Sequence, residues 1–116
     1  MSKEKMPRAE KAMKIAKEIM NQNDMLRDKM GTVDEYKAKK PEIVIPILED
    51  FLDKTRSKID EIKSLANESS DLEKEYCNKI LRSVSELYSG VEEVLIDALS
   101  SKLTNLFAEI KTKISS

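Results

Sequence analysis

The sequence has no histidine, no tryptophan and a single cysteine. Without histidine it lacks the side chain most used for proton transfer near neutral pH and the commonest metal ligand. Neither a Ser-His-Asp nor a Cys-His nucleophile can be assembled from it. Cys77 alone falls short of the four Cys or His ligands of a structural zinc site. The Glu-x-x-His pair of di-iron helical bundles is excluded as well. Glycine occurs twice, at Gly31 and Gly90, too far apart to build a phosphate-cradling loop. One cysteine cannot close an intrachain disulfide. The first residues, Met1-Ser2-Lys3-Glu4-Lys5, are charged, and no apolar stretch follows them. A reducing compartment, and so a cytoplasmic protein, is the expectation. Long apolar runs are missing too. The longest spans residues 43–48 and contains Pro46, whereas a membrane-spanning helix needs about 20 residues. The sequence therefore leads us to expect no catalytic group, no metal, no cofactor, no small-molecule substrate and no membrane insertion.

What remains is a chain of 116 residues, 37% charged and 40% hydrophobic. That is too apolar to stay disordered and too charged for a membrane protein, and the length suits one domain, residues 1–116, with a disordered tail over 1–5. The net charge of −1 is unevenly spread. Residues 1–40 hold 11 basic against 7 acidic side chains, and residues 41–116 hold 10 against 15. This mild polarity is not the basic stripe of a nucleic-acid binder.

Apolar residues recur at spacings of 3 and 4 over long stretches, which predicts an all-α protein. The first helix is predicted from Pro7, whose missing N–H suits a first turn, to Met30, with Gly31 just past the end. Ala9, Ala12, Ala16, Ile19, Asn23, Leu26 and Met30 share its apolar face. Thr32-Val33-Asp34-Glu35 reads as a capping box opening a short connecting helix. A third helix starts near Pro41 or Pro46, with Pro46 placed in the first turn or at a kink, and carries Val44, Ile47, Leu48, Phe51, Leu52, Thr55, Ile59, Ile62 and Ala66 on one stripe. Ser70-Asp71-Leu72-Glu73 is a second capping box. The helix after it presents Tyr76, Ile80, Val84 and Leu87. Leu99, Leu103, Leu106 and Ile110 are turned from that face by roughly a quarter turn, at about 100° per residue. A bend or break at Ser89-Gly90 would account for the rotation. The fold expected is an antiparallel helical bundle of three long helical segments, the last bent or broken near residues 89–90, plus one short connecting helix. The runner-up is a hairpin or bundle completed by dimerisation.

No motif names a reaction. All six methionines fall between Met1 and Met30; they read either as an adaptable docking surface or as filler beside small alanines. Asn23 can set register in a coiled coil or simply edge its stripe. The pairs Glu49 with Asp53 and Glu93 with Asp97 read as solvated faces rather than metal or acid/base sites. Cys77 reads as structural, because Glu73 and Glu75 oppose thiolate formation.

The function expected is a non-enzymatic protein-protein interaction module: a small adaptor, a regulatory or assembly subunit, or an inhibitor acting by occlusion. The expected partner is another protein or a second copy of this chain. Two apolar faces are the candidate partner-binding residues: Met13, Met20 and Leu26 on the first helix, and Leu99, Leu103, Leu106 and Ile110 near the C-terminus. A self-assembling structural subunit is the first alternative. A nucleic-acid-associated helical protein using the basic segment 1–40 is the second. It is disfavoured because residues 1–20 offer no aromatic ring for stacking.

Overall fold

Proline at one end and glycine at the other delimit the first helix in the computed structural model, which describes residues 5–115. Helix α1 spans Pro7–Met30. Gly31 follows with φ 81° and ψ −158°, a conformation essentially reserved for glycine, and its N–H donates to the Arg27 carbonyl at 2.8 Å. A Cβ at this position would also run into the Glu35 side chain. Lys39 completes the end of the helix: its Nζ donates to the carbonyls of Lys29 and Met30 at 2.8 and 3.2 Å. A cation there meets unpaired carbonyls at the negative end of the helix dipole.

The six-residue helix α2 (Val33–Ala38) follows, and the Thr32 hydroxyl accepts from the Glu35 N–H at 3.2 Å, one half of a capping box. Helix α3 spans Pro41–Glu68, so Pro46 lies inside the helix and not in its first turn. The Glu42 carbonyl there loses its donor four residues on. Pro46 is exposed, and water can reach that carbonyl.

Helix α4 is a single element, Asp71–Ser115, 45 residues long. Of the bend or break expected near residues 89–90, the break does not exist: one helix runs through Gly90. A lone glycine disfavours helix by about 1 kcal/mol relative to alanine, small beside the packing of Leu87, Tyr88 and Val91 on the core, which holds the helix on either side of it. The N-terminal tail expected over residues 1–5 falls, apart from exposed Lys5, outside the described residues.

Glu73 departs from the local pattern in the sequence. Its carboxylate reaches across to α1, where Oε2 accepts the backbone N–H groups of Arg8 and Ala9 at 3.0 and 3.3 Å. Met6, at the cap position of α1, makes no side-chain capping bond. A residue 64 positions away therefore caps α1, bringing negative charge to the positive end of its dipole. Arg8 also pairs with Glu68 at 3.6 Å. The start of α1 thus sits beside the end of α3 and the start of α4.

The core has two parts. Near that end, Ala9, Ala12, Ile15 and Ile19 of α1 meet Ile59, Ile62 and Ala66 of α3 and Cys77 and Val84 of α4. Alanines at the α1 crossing let the helices approach closely. Farther along, Leu26 and Met30 meet Val44, Leu48, Phe51, Leu52 and Val91. Leu87 and Tyr88 pack against both parts. Polar ties flank the core: Arg56 Nη2 donates to the Tyr88 hydroxyl at 2.9 Å between α3 and α4. Lys58 Nζ donates to Glu18 Oε2 at 2.9 Å between α3 and α1.

The two glycines should respond oppositely to alanine. A Cβ at Gly90 meets nothing within 4 Å, so Gly90→Ala should stabilise the protein by about 1 kcal/mol. Gly31→Ala should destabilise it by about 1–3 kcal/mol. Urea titrations giving the same sign for both would contradict the backbone described here.

The Glu18–Lys58 pair has a pH signature. The hydrogen bond from Lys58, and then its charge, hold the Glu18 carboxyl below its ordinary value of 4.5. A carboxyl lowered in the folded state adds stability above its unfolded pKa and loses it as pH falls through the folded value. The stability advantage of the wild type over Glu18→Gln should therefore shrink between neutral pH and about pH 3. A difference that stays constant over that range would deny the pair any role.

Candidate functional site: an unpartnered helical arm

Helix α4 rises about 1.5 Å per residue, so its 45 residues extend some 68 Å. Helices α1 and α3 have 24 and 28 residues and run out before it does. At the root of the free segment, Val94, Asp97, Ala98, Ser101 and Asn105 of α4 line an open cleft with Pro41 and Val44 of α3. Every residue from 99 to 115 is exposed. This segment forms an arm about 25 Å long, and it accounts for a molecule 79 Å long and only 25 Å by 16 Å across.

The arm is not polar all round, as a helix in water ordinarily is. Leu99, Leu103, Leu106 and Ile110 are 44–50% exposed and share one face. Ile96 leads into that stripe, while Phe107 and Ile114 flank it at 61% and 79% exposure. The stripe is turned about a quarter turn from the face that Cys77, Val84 and Val91 bury, at about 100° per residue. The rotation exists without any break in the helix. The bundle uses one side of α4, and the arm presents another. Each large apolar side chain left in water forgoes about 1.5–3 kcal/mol that full burial would supply. Contiguous exposed apolar stripes are uncommon on monomeric proteins.

Charge is graded along the same segment. Glu92, Glu93 and Asp97 lie at the root of the arm, and Lys111 and Lys113 near its tip, with Lys102 and Glu109 between. Glu109 and Lys113 form an exposed pair at 3.4 Å within the helix, a contact worth little in water.

Four of the seven candidate residues read from the sequence, Leu99, Leu103, Leu106 and Ile110, therefore stand together on the arm. Met13 and Met20 are also exposed, at 51% and 57%. They lie seven positions apart on one side of α1, well away from the arm. Leu26 needs correction: it is 8% exposed and packed among Leu48, Phe51 and Val91, so it belongs to the core. Sequence reasoning misses Ile96 and Ile114 as surface residues. For Ile96 the signal is there, since it sits three positions before Leu99.

Other features carry less. An open apolar cleft of about 670 Å³ lies between α1 and α4, lined by Asn23, Leu26, Met30, Leu87, Gly90 and Val91. A Cβ at residue 90 would meet nothing within 4 Å there. Cys77 is fully buried, with Sγ 3.8 Å from the Ser69 hydroxyl. Among the described residues, no three His, Cys, Asp or Glu side chains gather as a metal site would require. No helix among them is long and apolar enough to cross a membrane.

No protein-family model, curated protein or solved structure matches the chain.

Because the arm lies outside the core, Leu103→Asp should leave the stability of the dilute protein within about 0.5 kcal/mol of wild type. Leu48→Ala should cost about 2–5 kcal/mol. If Leu103→Asp melts as early as Leu48→Ala, the stripe belongs to the core and not to a free surface.

Proposed function

We propose that the protein is a non-enzymatic interaction module, a small adaptor or regulatory or assembly subunit, whose working surface is the apolar face of the α4 arm. One observation carries this reading. Leu99, Leu103, Leu106 and Ile110 form a continuous stripe on a helix that nothing else among the described residues covers. A helix with one apolar stripe gains by laying it against another apolar surface. The bundle holds the root of the arm through Val84, Val91 and the residues packed on them. A partner thus meets a preformed helix, and less ordering entropy opposes binding.

The nucleic-acid alternative has weaker support. It relies on the basic segment 1–40, where Arg8 is engaged with Glu68 and Glu73 and Lys39 with the end of α1. Those cations serve the fold.

Pull-down from extracts of the source cells, with tagged wild type beside Leu103→Asp and Met13→Asp, tests the proposal. The expected result is a bound species retained by wild type and Met13→Asp and lost by Leu103→Asp, all three melting alike. Equal recovery by folded wild type and Leu103→Asp would overturn the assignment to the arm.

A further inference from the structure

We infer that the occupant of the arm is a second copy of this chain, lying alongside it in the opposite direction. The inference rests on the arm being a docking surface and adds what docks there. Ile96, Leu99, Leu103, Leu106 and Ile110 follow steps of 3, 4, 3 and 4, the spacing of a coiled-coil seam. Steps of this kind keep one narrow stripe facing one partner helix, and Leu99, Leu103, Leu106 and Ile110 fit the same four residues of a second copy; the next seam position is Lys113, whose aliphatic stem lies against Ile96 at the edge of the overlap while its ammonium reaches water.

Charge selects direction and register. In a parallel pair the residues flanking the seam put Lys102 beside Phe107 of the second copy and Glu109 beside its Ile114, so no opposite charges meet. In an opposed pair, Leu103 packs against Leu106 of the second copy and Leu99 against its Ile110. Lys102 then lies beside Glu109 of the other copy, and symmetry makes this pair twice. Sliding the copies by one heptad one way sets Lys102 against Lys102; sliding them the other way sets Glu109 against Glu109. Only the middle register joins opposite charges, and like charges are the means by which helices reject wrong pairings. Glu109 is free to change partner, because its bridge to Lys113 is exposed and weak.

Length agrees with the same register. It places residue 115 beside residue 94 of the other copy, so each tip reaches the edge of the other bundle. The overlap uses the whole arm, and the two bundles stand at opposite ends. From residue 71 of one copy to residue 71 of the other is about 100 Å at about 1.5 Å per residue, against 79 Å for the longest dimension of one chain.

Sedimentation equilibrium with small-angle scattering on the full chain decides the matter. Wild type should form a dimer with a maximum dimension above about 100 Å, and Leu103→Asp should be a monomer that melts like wild type diluted to its monomer. Lys102→Glu alone and Glu109→Lys alone should each weaken the dimer about tenfold, and the double swap should restore it. Wild type that stays monomeric up to millimolar concentration overturns the second-copy assignment. The pull-down then decides separately whether the arm docks another protein. A dimer no longer than a single chain, or one the double swap fails to rescue, overturns the opposed arrangement.

Discussion

A helix of 45 residues cannot be covered along its length by helices of 24 and 28. Most of the molecule follows from this mismatch. Where three helices run together, apolar side chains from all of them fill the centre, and the core is mostly aliphatic, with Phe51 and Tyr88 as its aromatic members among the described residues. Where α4 runs on alone, the same kind of side chain faces water. Burial of aliphatic surface drives both halves of the design. In the bundle that surface comes from within the chain; along the arm no described residue supplies it. The arm also depends on the bundle for its shape. A detached helix as short as the arm is marginal in water because nucleation is unfavourable. Here the nucleus is the stretch of α4 from Asp71 to Ala98, already held in place by the bundle.

The ends of the helices are determined by contacts at different ranges. Pro7 and Gly31 act locally, through a missing N–H and a permitted positive φ, and both are legible in the sequence. Glu73 acts at long range. Its place, three positions after Ser70, reads as a local capping box, yet its carboxylate serves α1. No local pattern reveals this, because a cap needs only an acceptor at the right point in space. Lys39 closing the end of α1 is of the same kind.

The helical stripes are readable because their spacing is a property of the chain alone. What they face is not. Leu26 lies on the predicted apolar face of α1 and looks as fit for a partner as for the core. It sits in the core, since membership of a face does not say which neighbour arrives. Ser89-Gly90-Val91-Glu92 fits a helix start and a helix interior equally well, and the difference of about 1 kcal/mol is small beside the helix on either side. The quarter-turn rotation of the C-terminal stripe is visible in the spacing. That an unbroken helix carries it emerges only once α4 is known to be continuous.

The buried thiol gives this architecture a reporter of its own motions. Cys77 is sealed between Ser69 and the α1–α3 contact, near the end of the molecule opposite the arm. A thiol reagent can reach it only when the bundle opens. Fraying of the arm breaks backbone hydrogen bonds but leaves that seal intact. Amide exchange in residues 99–115 and alkylation of Cys77 therefore time two different events, one local and one global, in a single unmodified chain.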